Sequence, residues 1–261
     1  MSFDLAVFEK NEVTTNQSEF LKWFHQKAEC ENVSEISCAS DKLQKFFHSI
    51  RDIFPPMNGE FSPDDKFLSE NPEIEKYLCD YTIREDMIYL SFSYSVSEFA
   101  YDTIRRAAYF AEVGFFNPSS HSLPIFFDSR YPMILEGEGF QAMEIVRFES
   151  IREKLNNMTV KNRSYLYVTD PIGNYVQIGG YGDAFIVEKR IYTSPTDYVH
   201  VRAGYSGAEN VDKAGEVMIA GNCVKVKPNQ VLSKRMAEQL FLDFFRNEET
   251  MDSVEWMKMD V

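Results

Sequence analysis

Two glutamates separated by one residue, Glu136 and Glu138 in the sequence LEGEGF, are the side chains best placed for acid–base chemistry. Residues two apart on a strand share a face, so the two carboxylates could act together as general acid and general base. The glycines between and after them also fit a solvated loop, in which neither carboxylate would be catalytic. The solvated loop is the favoured interpretation, so we expect an interaction module rather than an enzyme, and a hydrolase that uses Glu136 and Glu138 is the alternative hypothesis.

The other residue types that support catalysis are scattered. No two of His25, His48, His121 and His200 have the spacing of paired metal ligands, and the four cysteines form no CxxC pair. We therefore expect no metal and no cofactor, and we expect each histidine to be exposed or hydrogen-bonded. The glycine cluster Gly179–Gly182 lies between two strand-like segments rather than before a helix, which predicts a wide hairpin turn instead of a phosphate loop.

The C-terminal half is organised around a run of strands. Alternating tyrosines and aliphatic residues, interrupted by turn sequences such as Asp170-Pro171-Ile172-Gly173-Asn174, predict four antiparallel strands between Tyr165 and Ala203. Connections this short favour a meander. The amphipathic segment from Ser233 to Asn247 predicts a helix that covers one face of that sheet.

The N-terminal half predicts the order strand, helix with an extra helix, strand, strand, helix, strand, which is the split βαβ or ferredoxin-like pattern. Within it, Met57 to Asn71 is predicted to be an acidic loop, and Gly114 is predicted to end a helix in the left-handed conformation. The fold class expected is α+β. A ferredoxin-like domain would occupy residues 1–120, and an antiparallel β-meander domain with a C-terminal helix would occupy residues 121–261.

Charge narrows the choice of partner. The 261-residue chain has a net charge of −14, of which residues 1–130 carry −10 through 22 acidic and 12 basic side chains. Such a balance disfavours a nucleic-acid ligand. It either favours encounter with basic proteins or serves only to keep the chain in solution. The acids between Glu60 and Asp86 form either a solubilising face or a docking site for a basic partner. Because the sequence shows neither a secretory signal nor a long apolar run, we expect no membrane association and a cytoplasmic location.

Several blocks of the chain resemble proteins of bacterial polymorphic toxin systems. MSFDLAVFEK, IFPPMNGE and SFSYSVSEFAYDTIRRAAYFAEVGFFNPSS are similar to a domain found alone or fused near such toxin loci. RSYLYVTDPIGNYVQIGGYGDAFIVEKRIY, TDYVHVRAG and the late VEWMKM resemble small immunity proteins. The resemblance implies a cytoplasmic inhibitor, in two-domain form, whose partner is a cognate toxin domain from a contact-dependent or type VI secreted effector.

An immunity protein would present exposed acids and aromatic residues to its toxin, which is expected to be basic and nuclease-like. The N-terminal acidic run is one candidate face, and the loops of the meander are the other. A regulatory protein-binding scaffold remains an alternative, and the sequence predicts no oligomeric state. The toxin-binding candidates on the meander are Glu136, Glu138, Asp170, Tyr181, Asp183 and Asp197.

Overall fold

A computed structural model describes residues 2–29, 35–120, 122–127, 132–159, 163–207 and 215–259. The chain divides into two compact units, Met1–Arg130 with Ser194–Thr196, and Tyr131–Thr193 with Asp197–Val261. Helices accompany three sheets whose neighbouring strands pair antiparallel, so the predicted α+β class is confirmed. Across these ranges, every helix is too short or too polar to traverse a lipid bilayer.

The first unit is built on a four-stranded sheet with the order β2-β3-β1-β4, so β2 and β4 are its edge strands. The core contains Leu5, Val7, Ile88 and Leu90 from the sheet. The elements of this unit are β1 (Ser2–Phe8), α1 (Gln17–Ala28), α2 (Asp41–Ile50), α3 (Asp65–Glu70), β2 (Cys79–Ile83), β3 (Met87–Ser93), α4 (Ser97–Phe110) and β4 (Gly114–Phe116).

Helix α2 shows how the sequence determines packing in this unit. The hydroxyl of Ser40 accepts a hydrogen bond from the backbone N–H of Leu43, which caps the helix start. Phe46, Phe47 and Ile50 recur at helical spacing and are buried. The helix therefore presents one apolar stripe to the sheet, and Phe47 reaches β2, where its ring centroid is 5.2 Å from that of Tyr81.

Two expectations about the first unit are wrong. Met57 to Asn71 is not wholly a loop, because Asp64 accepts a hydrogen bond from Phe67 N–H at 2.7 Å and starts α3. The left-handed residue after α4 is Glu112, with φ of 62°, rather than Gly114. Gly114 instead begins β4, where a Cβ atom would lie 2.3 Å from the ring of Phe8.

The second unit contains a seven-stranded sheet with the order β13-β10-β9-β8-β7-β5-β6, and a separate hairpin of β11 and β12. The sheet is therefore wider than the predicted four-stranded meander. The elements are β5 (Met133–Gly137), β6 (Phe140–Ile145), α5 (Phe148–Asn156), β7 (Tyr165–Thr169), β8 (Tyr175–Tyr181), β9 (Ala184–Tyr192), β10 (Tyr198–Tyr205), β11 (Gly215–Ile219), β12 (Asn222–Val226), α6 (Lys234–Arg246) and β13 (Val254–Lys258).

The strand register sorts the side chains of this sheet by face. Val168, Val176 and Val187 share a buried cluster with Leu240 and Phe241 of α6. The opposite face carries tyrosines, charged residues and His200. One face therefore forms the main apolar core of the unit, and the other combines these polar side chains with a smaller buried cluster of Ile186, Val217 and Val226.

The glycine cluster is not the wide turn that the sequence predicts. Strand β8 continues through Gly179 and Gly180 to Tyr181, which pairs with Ala184 across a two-residue turn. At Gly179 a Cβ atom would lie 2.3 Å from the side chain of Ile219, so the hairpin of β11 and β12 packs directly on the strand backbone there. These two glycines serve close packing and strand geometry within the sheet.

Candidate functional site

The six residues predicted to bind a toxin do not form one patch. Glu138, Tyr181 and Asp183 lie towards one end of the sheet in the second unit. Tyr181 ends β8 and Asp183 is in the turn that follows it, while Glu138 N–H donates to the backbone oxygen of Tyr165, which is paired with Gly179 of β8. Asp170 and Asp197 lie in the turns at the opposite end. Strand β8 spans the distance between the two ends, which is about 20 Å for a strand of its length. Glu136 is on strand β5 rather than in a loop.

The paired glutamates bind different groups. Glu136 is the cross-strand neighbour of Tyr167, and their hydrogen bond, together with burial, raises the pKa of Tyr167 to about 12. Glu138 accepts hydrogen bonds from Ser164 N–H at 2.9 Å and Ser164 Oγ at 2.8 Å, which lower the pKa of Glu138. Ser164 Oγ also accepts from Ala220 N–H at 2.6 Å. Both carboxylates therefore connect neighbouring segments of the unit.

Two of the aspartates are likewise engaged in local structure. Asp170 accepts hydrogen bonds from Ile172 N–H and Asn174 N–H, both at 2.9 Å, which close the β7–β8 turn. Burial raises the pKa of Asp170. Asp183 Oδ1 accepts from Lys234 N–H at 2.9 Å, at the first turn of α6. Both side chains already have a structural role.

A partly buried row of polar side chains crosses the sheet and was missed by sequence reasoning. Gln177, Glu188 and Arg202 are neighbours on β8, β9 and β10. Glu188 Oε1 accepts from Arg202 Nε at 2.8 Å and Nη2 at 2.6 Å, and Glu188 Oε2 accepts from Gln177. Glu188 is 6 % exposed. We call Gln177, Glu188 and Arg202 the Glu188 row; its carboxylate is saturated by partners within the protein.

His200 lies beside this row and contradicts the expectation for histidines. Its Nε2 is 3.7 Å from Glu188 Oε2, but both ring nitrogens are buried without a hydrogen-bond partner among the described residues. Burial lowers the pKa of His200 more than Glu188 raises it. The segments Glu188-Lys189-Arg190 and His200-Val201-Arg202 lie opposite each other on β9 and β10. The sequence shows both segments, but only the strand register shows that they are neighbours.

The first unit holds a groove of about 520 Å³ beside the edge strand β2. Phe47, Phe61 and Tyr81 give it an apolar lining. The Tyr81 ring is fixed, because its hydroxyl donates a hydrogen bond to Phe54 O at 2.7 Å. We call this feature the β2 groove; its lining residues are Glu35, Ile36, Ser37, Phe47, Pro56, Met57, Asn58, Gly59, Glu60, Phe61, Asp80, Tyr81 and Ile83.

Three exposed acidic residues, Glu35, Glu60 and Asp80, are among those that line the β2 groove. Asp80 alternates with Tyr81 and Ile83 along β2 and is paired with Ser91, so its side chain lies on the opposite face of the sheet from theirs. Within the described residues, none of the three forms an ion pair or a side-chain hydrogen bond. Arg51 lies over the ring of Phe61, 4.3 Å from its centroid, and its Nε is 3.8 Å from Asp52 Oδ1. The groove therefore combines an apolar surface with negative charges that have no partner in the described chain.

The acidic residues between Glu60 and Asp86 have different roles in the structure. Asp64 starts α3, and Asp86 pairs with Lys27 at 2.5 Å. Glu60 and Asp80 line the groove instead, joined by Glu35 from an earlier segment. The sequence located the acidic run, but only the fold shows which of its members remain available to a partner.

Comparison of the chain with protein-family models, with curated proteins and with solved structures found no match. Over the described ranges, no three His, Cys, Asp or Glu side chains are grouped in a way that could hold a metal ion. The β2 groove and the Glu188 row differ in whether their charged groups already have partners among the described residues.

Proposed function

We propose that this chain is an immunity protein that binds and neutralises a basic bacterial toxin, acting in the cytoplasm of the cell that makes it. The observation that carries the proposal is the β2 groove, whose lining includes the exposed acids Glu35, Glu60 and Asp80 together with apolar and aromatic side chains. The resemblance of the sequence to immunity proteins supports the same function. Neutralisation follows if the bound chain covers the toxin's active site or a surface that the toxin needs.

Charge and apolar surface make different contributions to such binding. The net charge of −14 attracts a basic protein and raises the rate of productive encounter. An apolar side chain buried against Phe47, Phe61 and Tyr81 then slows dissociation, since well-packed anchors supply most interface energy. The groove can hold one or two large side chains, which suits an anchor of this kind.

The finer fold assignment belongs to the same proposal. We assign the first unit to the ferredoxin-like, split βαβ arrangement, supported by the strand order β2-β3-β1-β4 with antiparallel neighbours. We assign α6 the role of a helical cover in the second unit, supported by its Leu240 and Phe241 in the buried cluster. In this arrangement β2 is an edge strand, and no further strand of this sheet pairs with its outer side.

Co-expression tests the function directly. The partner to be tested is a toxin fragment from an effector gene adjacent to the gene for this chain, expressed with or without the chain. We expect the wild-type chain to restore growth and to elute with the fragment as one complex on a sizing column. Failure of both would contradict the proposed function.

A matched pair of variants tests the surface. The double variant Glu60→Lys/Asp80→Lys changes the net charge from −14 to −10 and should abolish protection. Glu249→Lys/Asp252→Lys makes the same change on exposed acids of the second unit and should retain protection. Equal loss in both variants would show that total charge matters and that the β2 groove does not.

A further inference from the structure

The backbone of β2 is only partly paired on its outer side. Cys79 N–H donates to Pro55 O at 2.9 Å, and Cys79 O accepts from Met57 N–H at 2.9 Å, so both backbone groups of Cys79 point away from β3. In an antiparallel pair, backbone direction alternates along the strand. Tyr81 and Ile83 therefore also direct their N–H and C=O groups outward.

Within the described ranges, no backbone hydrogen bond reaches these outward groups of Tyr81 and Ile83. The alternate residues Thr82 and Arg84 face β3 instead. Arg84 N–H donates to Met87 O at 2.8 Å, and Thr82 is the cross-strand neighbour of Tyr89. An exposed strand edge of this kind readily pairs with another extended chain. Two consecutive outward residues offer four hydrogen-bonding groups.

The β2 groove runs along this same edge. Tyr81 and Ile83 line it together with Ile36 and Met57, and the Met57 side chain is 52 % exposed. Side chains alternate along a strand, so a chain paired to β2 would direct every second side chain into the groove. The backbone edge and the apolar recess therefore suit one extended segment at the same time.

Charge selects what that segment is. Glu35 and Glu60 at the groove favour Lys or Arg beside the apolar side chain that enters it, and Asp80 favours Lys or Arg at the neighbouring position on the other face of the added strand. A second copy of this chain would bring another set of the same acids to the edge, and facing like charges oppose such pairing. A basic partner is therefore favoured over self-association through β2.

We propose that β2 accepts an extended segment of a basic protein as an added strand, with an apolar side chain in the β2 groove and flanking Lys or Arg side chains beside Glu35, Glu60 and Asp80. The proposal rests on the proposed function and specifies how its partner binds. Hydrogen bonds to Tyr81 and Ile83 set the register, and the groove and its acids select the sequence. The partner segment must be extended when bound and contain no proline at its pairing positions.

The test mixes the chain with the synthetic peptide Lys-Val-Arg-Ile-Lys-Val-Arg and measures peptide binding by calorimetry and by amide NMR. We expect binding at micromolar to millimolar peptide, with downfield shifts and slowed exchange of the Tyr81 and Ile83 amides. Two control peptides keep the charge and the side chains but are N-methylated at alternate backbone nitrogens, one at the odd-numbered and one at the even-numbered residues. At least one of the two should bind tenfold or more weakly because it lacks the pairing hydrogen bonds.

Two protein variants extend the test. Ile83→Pro removes an N–H that points to the groove and should weaken peptide binding at least tenfold, while proline on a strand edge leaves the sheet paired. Glu60→Gln/Asp80→Gln leaves the edge intact and should weaken binding through charge alone. The NMR spectrum of each variant shows whether the first unit is folded, and the methylated peptides test pairing without any substitution.

The outcomes separate this proposal from the proposed function. No peptide binding, equal binding of every methylated peptide, or unchanged Tyr81 and Ile83 amides would overturn strand addition. Growth protection by the wild-type chain would in that case still support an immunity function through another contact. Peptide binding at β2 without growth protection would instead retain strand addition and overturn the proposed function.

Discussion

The β2 groove and the Glu188 row both combine charged and aromatic residues, but they treat charge in opposite ways. Glu188 is 6 % exposed and accepts hydrogen bonds from Arg202 and Gln177. Glu60 and Asp80 are exposed and form no ion pair with the described residues. A charge that is satisfied inside the fold contributes to structure, whereas an unpartnered charge at a groove is available to a ligand.

The backbone shows the same contrast. Around the Glu188 row, β8, β9 and β10 are paired on both sides within the seven-stranded sheet. Beside the groove, Tyr81 and Ile83 direct backbone groups outward from an edge strand. We therefore expect substitutions in the row to alter stability and substitutions in the groove to alter binding.

The largest effect should follow from Arg202→Met, which leaves the buried Glu188 carboxylate without its main partner. We expect the free energy of unfolding of the second unit to fall by about 3 kcal/mol. Urea denaturation followed by Trp256 fluorescence in a Trp23→Phe background measures this loss. The double variant Glu188→Gln/Arg202→Met should recover most of it, because no uncompensated charge remains.

A matched arginine near the groove calibrates that result. Arg51 lies over the Phe61 ring and is more exposed, so Arg51→Met should cost less than about 1 kcal/mol. Similar losses for Arg51→Met and Arg202→Met would remove the distinction between the two regions.

If the chain binds a basic toxin fragment as proposed, the next effect is on the rate of that association. Glu60→Lys/Asp80→Lys should slow association about tenfold at low salt, equivalent to about 1.4 kcal/mol, because steering by opposite charge is lost. Stopped-flow measurements across a salt series should show the difference shrinking as salt screens it. Glu249→Lys/Asp252→Lys should change the rate much less. A flat salt dependence for the wild-type chain would argue against steering.

A smaller effect is expected at Asp183, which the sequence placed among the toxin-binding residues. Asp183→Ala removes the acceptor for Lys234 N–H at the start of α6 and should reduce stability by about 1 kcal/mol. Thermal unfolding measures the loss, and the association rate should stay at the wild-type value. A large fall in that rate, with little loss of stability, would place the partner on the second unit.

The smallest effect is the pH dependence from His200. Burial lowers the pKa of His200 in the folded state below its ordinary value of 6.5, so the unfolded chain binds a proton more readily. Stability should therefore fall as pH drops below about 6.5 and should show no His200 contribution above it. Comparison of urea midpoints for the wild-type chain and His200→Phe across this range isolates the effect. An identical pH dependence in both proteins would contradict it.

The sequence predicted local structure better than it predicted the candidate sites. Strands such as Ser2–Phe8 and the helix Lys234–Arg246 follow from apolar spacing and capping residues such as Ser233, which act over a few residues. The Glu188 row depends on the register of three strands, and the Gly179 contact depends on Ile219, forty residues away. No local pattern contains that information.

The acidic face shows the same limit. Composition identified the excess of acids between Glu60 and Asp86, but Asp64 caps a helix and Asp86 pairs with Lys27. Glu35 joins Glu60 and Asp80 only because a distant segment folds beside β2. The availability of a charged group depends on its tertiary neighbours, so the sequence could propose the face but not its members.

The most direct measurement is amide hydrogen exchange of the full-length chain alone and in complex with the toxin fragment. If the partner binds along β2, exchange should slow at Tyr81 and Ile83 and should not change along β8, β9 and β10. Slowed exchange around Tyr181 and Asp183, with Tyr81 and Ile83 unaffected, would contradict binding at the β2 groove.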